Sequence, residues 1–235
     1  MIRSGKLTQI LLISILSVVG CFLAVQQPNW LEKIERWSLD RRLRGLPWET
    51  TRPPIVLIEA GENTFARLKA WPWSRHHHAD LLDHLSEAEA VVMDILFPEP
   101  GDPAADRALA EAVRRQGRTI TAMHLAETAP GAGPRPVHPF ADLQAAARRT
   151  GFTNVIPDID GLVRFAMPLR QVTDAAGRNQ WAPSLSLAAA RQVLDAPPAT
   201  ITRDANGRHQ LRLGPHKLPL DARGRLWLQY APRPY

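Results

Sequence analysis

The chain has 235 residues, 45% of them apolar, with 29 Lys and Arg against 23 Asp and Glu and a formal net charge of +6. That is room for one sizeable domain and a short accessory segment, with enough apolar content to exclude disorder as the default. The positive charge is nearly all Arg and is spread without a block, which argues against a nucleic-acid surface, and the single Cys21 excludes an internal disulfide.

The first segment carries the clearest physical signal. Leu7 to Val25 is an uncharged run, long enough to cross a bilayer core. Arg3 and Lys6 precede it, and no basic residue follows until Lys33. By the positive-inside rule the N-terminus stays cytoplasmic and everything beyond Val25 is exported, with Trp30 at the expected depth of an interfacial aromatic. Two alternatives stay open. Val18-Val19-Gly20-Cys21 has the look of a lipoprotein processing site, which would lipidate Cys21, and the second alternative is a cleaved signal peptide. The apolar run continues past Cys21, and Phe22, Leu23 and Val25 fit a small-residue cleavage site poorly, so an uncleaved anchor is favoured.

Residues 28–53 form a polar connector in which Trp30, Ile34, Trp37, Leu39 and Leu43 fall near helical spacing, ended by Pro47 and by Pro53-Pro54. Ile55 to Ile58 predict a short buried strand, followed by a helix over 62–69 closed by Trp71-Pro72-Trp73. Ser74 caps a helix running to about Glu87, with His78, Leu81, Leu82 and Leu85 as its apolar face, and Val91 to Leu96 predict a second strand bearing Asp94. Asp102 caps a third helix, with Pro103 first, an inner stripe of Ala105, Leu109, Ala112 and Val113, and Gly117 as its stop. Thr119 to Ala122 predict a third strand. Residues 126–138 read as a Pro/Gly-rich surface loop and 141–148 as a helix. Phe152–Ile156 and Leu162–Val172 predict strands flanking the turn Asp158-Ile159-Asp160-Gly161, and 182–194 a helix. Residues 200–230 alternate short β runs with turns, and no internal repeat stands out. The order implies an α/β fold: three layers with a central mixed, partly parallel sheet, preceded by one N-terminal transmembrane helix and followed by a C-terminal antiparallel appendage.

Several stretches together resemble a known family. IVLIEAGENTFARLKAWPWSRHHHADLLDHL followed by VVMDILFPEPGDPAADRALAEAV is similar to the second family of CHASE domains, extracellular sensory domains associated with cyclases and histidine kinases. LDRRLRG, GFTNVIPDIDGLVRFAMPL, PSLSLAAA and HKLPLDARGRLWLQY extend the resemblance, in order, over nearly all of residues 36–230, and WPW-R and D-x-DG-x-x-R are its signatures. The resemblance implies a signal anchor over 1–27, a connector over 28–53 and an extracytoplasmic sensory domain over 54–235. It also implies an output module beyond Tyr235: a histidine kinase, a nucleotide or diguanylate cyclase, or a Ser/Thr kinase. The chain is then expected to be a receptor fragment with no enzyme of its own, in the inner membrane through residues 7–25 with its sensory domain periplasmic. The expected partners are an unknown small ligand or membrane-state signal and a second copy of the chain. Two departures stand out. The family's strand-end D-I-D-E reads Glu59-Ala60-Gly61-Glu62, and Ser74 replaces the Pro that often follows the second Trp.

Candidate ligand contacts are Glu59, Glu62, Trp71, Trp73, Arg75, Asp94, Asp158, Asp160 and Arg164. Glu59 and Asp94 fall at predicted strand carboxyl ends, where α/β sheets bind ligands, though backbone N–H groups of following helices satisfy such carboxylates equally well. Trp71 and Trp73 can wall a site beside Arg75 or simply cover strand ends. Asp158-Ile159-Asp160-Gly161 has the start of a calcium loop without its later ligands, and an ion-free turn with Arg164 paired to Asp158 serves as well. His76 with Asp80, or Asp80 with His84, is half a zinc site, so no metal or cofactor is expected. Two other functions compete with the sensor. One is an exported hydrolase using Glu59, Asp94 and Asp158 around a metal, and the other a membrane-tethered scaffold for a partner protein.

Overall fold

The computed structural model describes residues 2–26, 29–45, 54–69, 71–128, 133–174 and 176–230. It forms two compact units, one of residues 1–56 with 229–235 and one of residues 57–228. Pro47 and Pro53, expected to end the connector, lie outside the described residues.

The first unit holds two helices, α1 (Ile2–Gln26) and α2 (Asn29–Arg44). The uncharged run is helical throughout, in agreement with its lack of Pro. Among the described residues no helix is long and apolar enough to cross a membrane. Over residues 29–44 the connector is helical as its spacing predicts, with Trp30, Ile34 and Trp37 all exposed.

The segment from Ile55 onward begins with a correction. Ile55 to Ile58 form no strand, and all four side chains are exposed. β-branched residues favour an extended backbone, but a strand exists only where another strand accepts its hydrogen bonds, and among the described residues none pairs with this run. The helices α3 (Glu62–Leu68) and α4 (Arg75–Asp83) follow. Ser74 caps α4 as expected, accepting from the His76 N–H, but the helix stops four residues before Glu87 and the chain turns. Strand β1 (Val91–Met93) is shorter than predicted, so Asp94 lies just beyond it and exposed. Helix α5 (Pro103–Gln116) matches its signals at both ends: Asp102 accepts from the Ala105 N–H, and Gly117 takes the left-handed conformation at φ 71°. All four residues of its expected stripe are buried.

Strand β2 (Thr119–Ala126) runs four residues past its predicted end because β3 (Arg135–Val137) pairs antiparallel with its last three residues. A strand therefore lies inside the segment read as loop, and Pro136 sits on it opposite Leu125. After α6 (Ala141–Ala146), strand β4 (Arg149–Phe152) precedes the predicted 152–156 and pairs parallel with β2. Asn154 then continues the ladder with its side chain, accepting from the Leu125 N–H at 2.7 Å and donating to the Leu125 carbonyl at 2.9 Å. The predicted 162–172 strand is two, β5 (Phe165–Ala166) and β6 (Leu169–Thr173), and β7 (Asn179–Pro183) occupies the start of the expected helix, which becomes α7 (Leu185–Val193).

Parallel β1, β2 and β4 form the sheet's centre, with helices on both faces. Ile120 and Ala122 point to α7, packing on Leu185 and Ala188. Met93 faces the other way, into a core with Leu82, Leu109, Val113 and Leu143 from α4, α5 and α6. This is the expected mixed α/β arrangement with a partly parallel sheet. Gly151 permits the α7 contact, since a Cβ there would lie 2.5 Å from the Leu185 Cα and 2.7 Å from the Ser184 carbonyl oxygen. Strands β8 (Thr200–Arg203), β9 (His209–Leu213) and β10 (His216–Pro219) form the antiparallel appendage over Leu169, Leu187, Leu211 and Leu213. The last strand, β11 (Leu226–Trp227), leaves that appendage and pairs with β5.

Candidate functional site

The nine candidate residues do not converge on one site. Glu59 and Glu62 are exposed, Glu62 in the first turn of α3, and Asp94 is exposed beyond β1. Trp71 and Trp73 pack edge to face at 4.9 Å between centroids, with Phe65 completing the cluster 5.0 Å from Trp73. Trp71 is exposed, while the buried Trp73 Nε1 has no hydrogen-bond partner.

Arg75 turns inward from the first position of α4. Its guanidinium pairs with the buried Asp106 of α5 and donates to the Glu99 carbonyl at 2.6 Å. It lies over the Phe140 ring at 4.6 Å and near the Phe97 ring at 5.3 Å. Asp106 also accepts from the Gly101 N–H at 2.8 Å. The group thus joins α4, α5 and the segment after β1. Beside it, His78 packs edge-on to Phe97, and burial, helped by the neighbouring His77 and Arg75 charges, holds its imidazole below the usual histidine range.

Arg164 is 5% exposed and grips the acidic turn. It binds Asp160 bidentately, both contacts 2.8 Å, and reaches Asp158 at 3.1 Å. Asp158 and Asp160 also accept the Ile159 and Leu162 N–H groups, at 2.9 and 3.2 Å. The guanidinium pairs with both carboxylates, so the turn is satisfied without an ion. Among the described residues no three His, Cys, Asp or Glu side chains gather to hold a metal ion, and the trio Glu59, Asp94 and Asp158 is no exception. His84 Nδ1 instead lies 2.7 Å from the Asp80 carbonyl oxygen.

A recurring turn escaped the sequence reading. Asp174–Arg178, Asp204–Arg208 and Asp221–Arg225 all read Asp-Ala-x-Gly-Arg, and Asp158–Gly161 opens the same way without that Arg. In each of the three, the Asp carboxylate accepts N–H groups two and four residues on, all at 2.8–2.9 Å. The Gly has a positive φ of 75–78°. At Asp221 burial pushes the carboxyl up, but the N–H groups of Arg225 and Arg223 and the Arg225 guanidinium outweigh it and leave the pKa lowered. Arg225 then lies 4.2 Å from the Phe165 ring centroid. The threefold sequence match was the available signal.

The recesses lie elsewhere. One of about 160 Å³ opens past the carboxyl end of β1 and alongside β2, lined by Leu96, Phe97, Ala122, His124, Val137 and His138 among others. Its walls are mostly apolar, the His138 Nδ1 is buried without a partner, and burial lowers that imidazole's pKa. The segment leaving the carboxyl end of β1, where open α/β sheets bind ligands, forms one wall, although the volume is below that of pockets for drug-sized molecules. A more open recess of about 380 Å³ lies against α2, lined by Trp37, Asp40, Arg41 and Gly45. Neither is lined by any of the nine candidates.

A family model described as the CHASE2 domain matches residues 13–235. The chain belongs to the CHASE2 family. CHASE2 domains are extracellular sensory domains, so this chain's role is sensory input and no catalysis is expected of it. No curated protein and no solved structure matches the CHASE2 chain in the corresponding comparisons. In this CHASE2 domain the two signature arginines are both paired within the fold: the half-buried Arg75 joins α4 to α5 through Asp106, and the buried Arg164 closes its own turn on Asp158 and Asp160.

Proposed function

We propose that the chain is the periplasmic input domain of a bacterial transmembrane receptor, anchored in the inner membrane by residues 7–25. In this reading a stimulus changes the α/β unit and the change reaches the membrane through α2 and α1. A cytoplasmic histidine kinase, nucleotide or diguanylate cyclase, or Ser/Thr kinase encoded beyond Tyr235 gives the output, and receptors of this kind act as dimers. The observation that carries it is the sensory-family match over residues 13–235, joined to an uncharged run preceded by Arg3 and Lys6 and followed by no basic residue until Lys33. The recess past the end of β1 and beside β2 is the place for a small ligand, and Trp71, Glu59, Glu62 and Asp94 remain exposed for contact with a stimulus.

A reporter pair fused after Tyr235 tests the topology. Alkaline phosphatase is expected to be active there and β-galactosidase inactive, and the reverse result defeats the reading. In the full-length receptor, deleting residues 57–228 is expected to leave output activity but abolish its regulation. An unchanged response would remove the sensory role.

A further inference from the structure

Among the described residues the aromatic stripe of α2 is exposed, with Trp37 bordering the open recess against the helix. Trp30, Ile34 and Trp37 are 52%, 53% and 65% exposed. At 100° per residue they share one side of the helix, within an arc of about 60°. Arg41 continues the same line one turn further and Lys33 flanks it. The opposite side carries Leu39, which is half-buried. Arg36, Ser38, Leu39 and Asp40 are half-buried, whereas Trp30, Ile34 and Trp37 are left to solvent.

We propose that this stripe lies in the lipid–water interface, so that α2 is a membrane-surface helix and not a free-standing rod. The inference rests on the anchored topology proposed above. Its occupant follows from position and charge. At most about 14 Å of chain separates Gln26, the end of α1, from Trp30, so the stripe begins within reach of the headgroups. Tryptophan concentrates at that depth because its ring is apolar and its N–H is satisfied by water or headgroup oxygens. The helix carries Lys33, Arg36, Arg41, Arg42 and Arg44 against Glu32, Glu35 and Asp40, an excess of positive charge suited to an anionic lipid surface. A change in lipid packing would then act on the same helix that joins the anchor to the sensory unit.

The full chain reconstituted in phosphatidylcholine/phosphatidylglycerol vesicles with brominated acyl chains tests this. The emission lost in Trp30→Phe and in Trp37→Phe isolates each ring, with Trp181→Phe as a control remote in sequence. Both α2 signals are expected to be quenched about two-fold or more relative to unbrominated vesicles, and the Trp181 signal unchanged. Ile34→Glu is expected to reduce the quenching of both while the protein still floats with the vesicles. Flotation with Trp37 unquenched overturns the inference and leaves the anchor intact, and Trp37 shielded from iodide but not quenched by lipid points to a second copy instead. Failure to float overturns the anchor and this inference together.

Discussion

Replacing Arg75 by Met tests whether the WPW-R arginine is a clamp of the fold. The methionine keeps much of the side chain's length and apolar contact but removes the donors. Asp106, its side chain 9% exposed, would keep only the Gly101 N–H, and the Glu99 carbonyl would lose its partner. Removing one partner of a buried ion pair costs about 3–5 kcal/mol. The lower end applies because the Arg75 side chain retains 16% exposure and water can reach the vacated space. Loss of the contacts with Phe97 and Phe140 adds about 1 kcal/mol. A total near 3–4 kcal/mol lowers the Tm of a unit this size by roughly 10 °C. Thermal unfolding followed by circular dichroism reads the shift directly. Arg75→Met with Asp106→Leu should regain most of it, since the stranded carboxylate is the main cost. A single variant melting within about 2 °C of the parent, or a double variant no better than the single, would refute the clamp and return Arg75 to the pool of ligand contacts.

Two further outcomes follow from the packing. Gly151→Ala places a Cβ against the Leu185 backbone, which cannot rotate away, so a loss of about 2–3 kcal/mol is expected in urea unfolding despite the small gain from a stiffer unfolded chain. His78 and His138 have lowered pKa values, so the unfolded chain takes up their protons first as pH falls below about 6.5. Their contribution is complete above that pH and declines as pH drops toward their folded pKa values. His78→Leu should therefore narrow the Tm difference between pH 7.5 and pH 5.

The legible parts of the fold were those encoded by neighbours. Helix α5 was readable at both ends because Asp102 and Gly117 each act within one turn of backbone. The 55–58 run was misread because its composition favours a strand but cannot supply a partner. Strand β3 hid behind Pro136, which lacks a donor and still occupies a register opposite Leu125. The site was less legible than the fold. The Arg75–Asp106 pair spans 31 positions, so no local pattern distinguishes a buried clamp from a ligand contact. Asp158 with Arg164, six apart, was readable as an ion-free turn. The crevice by His138 is lined by ordinary apolar residues from three chain segments and leaves no motif at all.

The Asp-Ala-x-Gly-Arg turns satisfy their carboxylates and backbone amides within five residues, borrowing little from the rest of the molecule. Such corners close before distant strands meet, so the hairpins at 174–178 and 204–208 can serve as early-forming guides for the registers they join. Their outward tips tolerate cargo for the same reason, and an epitope or fluorophore placed at Ala176 or Asn206 would report on the domain with little cost to its assembly.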